Sequence, residues 1–201
     1  MDALIVVDIQ NDFLPGGALA VPDGDAVIGV ANGLVERFDL VIATQDWHPA
    51  GHKSFASSHP GCEVGQQIQL NGLEQILWPD HCVQGSQGAE FAGELNSDQF
   101  NKVFQKGADP QIDSYSGFFD NGHLKSTGLA DFLKQQGVVH CFVIGLATDY
   151  CVKFTALDAK QLGFETTVIK SACRAVNLSP TDEEHSLAEM QQAGVNILQE
   201  I

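Results

Sequence analysis

Apolar and polar positions alternate along this chain in short blocks that repeat the same order, a buried run and then an amphipathic stretch. Leu4 to Val7 and Leu40 to Ala43 are β-rich apolar runs that stop at polar residues, Asp8 in the first case and Thr44-Gln45-Asp46 in the second. Between them, Val27, Val30, Leu34 and Phe38 fall near helical spacing, which predicts a helix over Asp25 to Phe38. The rhythm returns later. Lys102 to Gln105, Val138 to Ile144, Phe164 to Ile169 and Val195 to Leu198 read as further strands, and Gly122 to Gln136, Asp149 to Leu162 and Pro180 to Gln192 as helices, the last capped by Ser179. Strand and helix in alternation predict an α/β fold, a doubly wound and mostly parallel sheet with helices on both faces in a Rossmann-like three-layer arrangement. A single domain over residues 1–201 is expected from the length.

One interval breaks the rhythm. Residues 45–100 or so are rich in Gly, His, Pro and Gln, and a segment that long without regular elements inside a compact domain is functional more often than not. Composition narrows the options further. A hydrophobic content of 44% suffices for one core, and a formal net charge of -16 lacks the cationic surplus that nucleic acid or an anionic membrane requires. No apolar run reaches transmembrane length and Met1-Asp2-Ala3 carries no basic signal region, so a soluble cytoplasmic protein is expected. Five cysteines, without a C-x-x-C pair, point to reduced thiols.

In an open parallel sheet the chemistry collects beyond the carboxyl ends of the strands. Asp8 follows the first strand, Asp46 and His48 the second, Lys106 the third, and Cys151 the fourth. Thr148 is a natural N-cap there, which would put Cys151 in the first helical turn, where the helix dipole favours a thiolate. Taken singly each residue has a plainer reading: a core thiol, a turn-capping carboxylate, a solvated lysine. Their common rim is what links them. Asp46 and His48, two apart in an extended segment, face one way, and His81, stiffened by Pro79, could add a third ligand. Two imidazoles and a carboxylate suit Zn²⁺, Fe²⁺ or Mn²⁺ with positions left open. Cys82, His52 and His59 are rival ligands that spacing leaves in play.

Six motifs, in order along the whole chain, carry a resemblance: Asp8-Ile9-Gln10-Asn11-Asp12-Phe13, Gln45-Asp46-Trp47-His48-Pro49 with His52-Lys53-Ser54-Phe55, Trp78-Pro79-Asp80-His81-Cys82-Val83-Gln84-Gly85, Lys106-Gly107, Tyr115-Ser116-Gly117-Phe118 and Gly145 to Val152. The chain resembles the nicotinamidase/pyrazinamidase branch of the isochorismatase-like hydrolases. The resemblance implies a catalytic triad of Asp8, Lys106 and Cys151, and one divalent metal ion, foremost Zn²⁺, on Asp46, His48 and His81. Ser54 or His52 is the candidate for a further ligand. It also implies an oxyanion hole from the backbone N–H groups of Ala147 and Cys151, a cis peptide before Ala147, and a ring site of Phe13, Trp78 and Tyr115. The implied reaction is deamidation of nicotinamide to nicotinate and ammonia through a cysteine thioester, serving NAD salvage, with pyrazinamide as a second substrate. A metal-free relative acting on another amide or an N-carbamoyl group is the competing expectation, and a silent metal-binding module a third. A small molecule is thus the expected partner, and a homo-oligomer is left open.

Overall fold

The computed structural model describes all 201 residues. Six parallel strands form the main sheet: β1 (Asp2–Val7), β2 (Val41–Asp46), β5 (Lys102–Lys106), β6 (His140–Leu146), β7 (Glu165–Arg174) and β8 (Asn196–Leu198), in spatial order β5-β2-β1-β6-β7-β8. The helices are α1 (Ala26–Val35), α2 (Leu129–Gln135), α3 (Lys153–Gln161) and α4 (Asp182–Gln192). The doubly wound α/β architecture expected from the pattern is therefore present. Strand order reverses between β1 and β6, and Asp8 and Cys151 lie just past those two strands. That reversal is where an open α/β sheet leaves a crevice for ligands.

The central strand shows why its sequence is continuously apolar. Ala3, Ile5 and Val7 pack into one core with α2, α3 and α4, whereas Leu4 and Val6 pack into the other with α1. A strand covered on both faces has no polar side to display. In α1, Val27, Ile28, Ala31, Leu34 and Val35 form the buried stripe. No helix is long and apolar enough to cross a membrane.

Several boundaries differ from expectation. The helix expected from Gly122 starts only at Leu129, because Asp120 folds its carboxylate over the N–H groups of Gly122, Leu124 and Lys125 at 2.9–3.0 Å and commits that stretch to a loop. Residues 48–100 contain an antiparallel hairpin, β3 (Gln67–Leu70) and β4 (Leu73–Ile76), turned by Asn71 and Gly72 at φ +52° and +83°. The rest of the segment is tied to itself and to the domain by short bridges, His48 with Val83, Phe55 with Trp78 and Gln10 with Phe91.

At the end of β6 the chain meets β1 closely. Gly145 sits at φ +119°, and a Cβ there would fall 2.0 Å from the Val7 carbonyl oxygen, so only glycine fits. The next peptide, Leu146–Ala147, is cis, as the resemblance implies. Thr148 does not cap the adjoining turn: Ala147 holds the cap position and the Thr148 hydroxyl points to Glu183 at 3.4 Å. Residues Thr148–Val152 form a wide turn in which the Val152 N–H reaches back five residues to the Ala147 carbonyl at 3.1 Å. Wide turns of this kind recur at functional sites, and this one carries Cys151.

Candidate active site

Each strand end delivers one group. β2 ends in Asp46 and β5 in Lys106, paired in register, while Asp8 follows β1. Lys106 is buried at 2% exposure, and its ammonium donates to Asp46 Oδ1 at 2.7 Å, to the Ser114 carbonyl at 2.8 Å and to Cys151 Sγ at 3.4 Å. Asp8 Oδ2 lies 2.9 Å from the same nitrogen as an ion pair, and Asp8 Oδ1 accepts from the Thr44 hydroxyl at 2.7 Å. The Asp8 carboxylate is thus set between the ammonium and the Cys151 thiol, on which it acts directly.

Burial dominates the electrostatics. It raises the Asp8 carboxyl above its ordinary value, against the pull of Lys106 and the Thr44 hydrogen bond. Burial alone would discharge Lys106, but Asp46 and then Asp8 hold its ammonium well above the usual lysine range. For Cys151 the helix-start argument fails. Burial pushes this thiol well above its ordinary value, Lys106 opposes that only in part, and Asp8 reinforces it. That direction is the reverse of the one expected from its place in the sequence.

Beside these groups, Asp46, His48 and His81 bring one ligand atom each within 4.8 Å of one another, all buried. His48 Nε2 and His81 Nε2 stand 3.2 and 3.5 Å from Asp46 Oδ2. On the other side of each ring, Nδ1 meets a carbonyl, Gly107 at 3.0 Å for His48 and Pro79 at 2.7 Å for His81. A carbonyl only accepts, so each Nδ1 is a donor, and Nε2, the nitrogen turned toward Asp46 Oδ2, is the atom each ring would offer a metal. Burial works to raise the Asp46 carboxyl, but Lys106 and then His48 hold it well below its ordinary value, as a ligand requires. The residues fit a divalent metal ion. Phe55, fully buried, backs the rings of His48 and His81 with centroids 5.4 and 5.5 Å away.

Of the rival ligands, His52 is committed elsewhere: its Nδ1 faces the Ser54 hydroxyl at 2.7 Å and its Nε2 the Asp109 carbonyl at 2.8 Å. His59 donates Nε2 to the Lys53 carbonyl at 2.8 Å. Neither is brought to the cluster.

A small pocket of about 30 Å³, lined by Cys151 as well as Asp46 and His81, joins the two sets of residues. Phe13, Trp78 and Tyr115 line it, as the resemblance implies, together with Leu19, Tyr150 and Val176, which sequence reasoning missed. Trp78 donates its indole N–H to the Tyr115 hydroxyl at 3.1 Å, and Tyr150 packs edge-on against both rings. Tyr150 was within reach of the sequence, being one residue before Cys151. Leu19 and Val176 arrive from distant loops, and Val176 is held by its N–H bond to the buried Asp149 carboxylate at 2.9 Å.

Comparison with known proteins bears on these observations. The isochorismatase domain model matches residues 2–200. Over 199 residues the chain is 52% identical to the nicotinamidase of Escherichia coli, covering 97% of this chain and 93% of that protein. Among solved structures, a nicotinamidase/pyrazinamidase from Acinetobacter baumanii superposes with a TM-score of 0.96 at 46% identity, covering 98% of this chain and 95% of that one. A pyrazinamidase from Pyrococcus horikoshii in complex with zinc superposes at 0.80 with 40% identity and 98% of both chains covered. Together with the sheet order and the motifs in sequence, these matches show that the chain belongs to the isochorismatase family of hydrolases, in its nicotinamidase/pyrazinamidase branch.

Proposed function

We propose that this amide hydrolase of the nicotinamidase class deamidates nicotinamide, and pyrazinamide with it, by attack of Cys151 on the amide carbon. The Asp8 carboxylate carries the proposal: fully buried and paired with Lys106 at 2.9 Å, it is the base set beside a thiol that burial raises. As the sulfur–carbon bond forms, the thiol proton passes to Asp8 and the carbonyl oxygen becomes an oxyanion. The backbone N–H groups of Ala147 and Cys151 are the donors assigned to it, a contribution typically of about 3 kcal/mol per donor. Asp8 then protonates the amide nitrogen, the carbon–nitrogen bond breaks, and ammonia leaves a thioester. A water molecule gives its proton to Asp8 as it attacks the thioester, and sulfur departs and regains that proton. Lys106 stays cationic and compensates the charge on Asp8 and Asp46 throughout.

Asp46, His48 and His81 would hold the metal ion, with zinc favoured by the complex of the Pyrococcus relative. Bound there, a divalent ion supplies a Lewis-acid anchor for a ring nitrogen. Phe13, Trp78 and Tyr115 provide aromatic walls for the ring. The product fits a place in recovery of the pyridine ring for nucleotide synthesis. Ammonia release from nicotinamide tests the reading: Cys151→Ala should abolish it while the variant remains folded, and retained turnover would overturn the nucleophile assignment.

A further inference from the structure

Asp12 belongs to the first motif but has no part in the chemistry above. Its carboxylate is spent on two other segments. Oδ2 accepts from the Cys82 N–H at 2.7 Å, and Oδ1 accepts from the Ala18 N–H at 3.2 Å, while the Asp12 carbonyl takes the Leu19 N–H at 2.9 Å. The Cys82 peptide is held from its other end too, because the Cys82 carbonyl accepts from the His48 N–H at 3.0 Å. Cys82 sits at φ +45°, a conformation that a non-glycine residue keeps only when its surroundings impose it. His81 is the residue directly before this clamped peptide, and its ring lies 5.6 Å from that of Phe13, the residue directly after Asp12. Gly88 supplies the remaining wall: a Cβ there would fall 2.1 Å from Asp12 Oδ2. Gly88 does not have a positive φ, so the side chain of Asp12 is what requires a glycine at that place.

Building on the metal reading above, we propose that Asp12 is a positioning residue for the metal centre, fixing His81 through the Cys82 N–H and joining it rigidly to the loop that brings Phe13 and Leu19 to the cavity. The clamp acts on the ligand without touching the metal or the substrate. Loss of an outer partner of a ligand commonly lowers metal affinity by about 10- to 100-fold.

The test is Zn²⁺ affinity by competition with a chromogenic chelator, a readout independent of which substrate is turned over. Asp12→Ala should weaken Zn²⁺ binding by about 10-fold or more. Asp12→Asn, which keeps an acceptor for the Cys82 N–H, should recover most of it. Gly88→Ala should reproduce the loss with Asp12 still present, and decides the matter if Asp12→Ala does not fold. Alkylation of Cys151 by iodoacetamide should be unchanged in the folded variants. Zn²⁺ affinity within two-fold of wild type in folded Asp12→Ala or Gly88→Ala overturns the proposal. So does an equal disturbance of Cys151 alkylation, which would mark general loosening. Nicotinamide turnover by the wild type, measured alongside, separates failure of the clamp from failure of the proposed reaction.

Discussion

Thr44→Val isolates the base. The Thr44 side chain is fully buried, and its hydroxyl donates at 2.7 Å to Asp8 Oδ1; valine keeps the branched shape and removes only the donor. Hydrogen bonds to charged groups are worth about 1.5–3 kcal/mol, and that support acts only while Asp8 is ionised. At 1.36 kcal/mol per tenfold change in proton affinity, the loss moves the ionisation of Asp8 to higher pH by about 1–2 pH units. Asp8 already lies above its ordinary value through burial, with Lys106 and Thr44 pulling the other way, so the substitution adds to the existing direction. The assay is kcat/KM for nicotinamide against pH, whose acid limb reports the free enzyme's base, here the interacting Asp8 and Cys151 pair. The limb should shift to higher pH. Stability follows the same sign: a carboxyl raised by folding binds protons more tightly folded than unfolded, so stability falls as pH rises from the unfolded value through the folded one. Thr44→Val should therefore cost more at pH 7 than in acid, where Asp8 is protonated in either state. An acid limb that stays in place or moves down, in a folded variant, would refute Asp8 as the base.

Three further outcomes are expected. Lys106→Ala should slow alkylation of Cys151 by iodoacetamide near neutral pH, because Lys106 is the group that lowers this thiol; Cys62, partly exposed, serves as the internal reference, and an unchanged Cys151 rate removes Lys106 from the site. His48→Ala should lower bound metal on elemental analysis with the fold intact, and Gly107→Ala should do so without deleting a ligand, since its Cβ would fall 2.4 Å from His48 Cε1 at a φ of +67°; a full metal complement in either contradicts the assignment. Gly145→Ala should lose the native fold, read as collapse of the thermal transition, because its Cβ meets backbone that cannot move aside; a Tm within a few degrees of wild type would show that β6 can shift against β1.

The rim was legible because strand ends are marked by a change from apolar to polar residues, and topology then gathers those ends. Asp8, Asp46, Lys106 and Cys151 all came from that one rule, and they meet in the structure. His81 was a candidate from its loop, but choosing it over Cys82, His52 and His59 needed the resemblance, since spacing does not indicate where the chain returns. The hairpin around Asn71-Gly72 had a recognisable turn signal, but its strands are only four residues each, with Ile68 and Leu70 only half buried. The start of α2 was misplaced because Asp120 competes for the same backbone N–H groups that a helix would use. The direction of the Cys151 shift was hidden for a different reason. A helix start and a nearby cation are visible in sequence, whereas the depth of burial that outweighs them is a property of the assembled fold.

That burial decides what kind of cysteine chemistry the site supports. Asp8 and Asp46 share one lysine, in a place where Asp8 is fully shielded and Lys106 nearly so. Releasing the Cys151 proton to solvent would add a negative charge to that low-dielectric volume, which is far costlier than in water. Passing the proton to Asp8 instead moves a negative charge from oxygen to sulfur and creates none. Asp46 cannot serve in its place, because Oδ1 is bound to Lys106 at 2.7 Å and Oδ2 is turned toward His48 and His81. The two carboxylates flanking one lysine thereby divide the work. In the proposed mechanism one, held low by the lysine and His48, would stay ionised beside the metal ligands, and the other, raised by burial, would exchange a proton with the thiol.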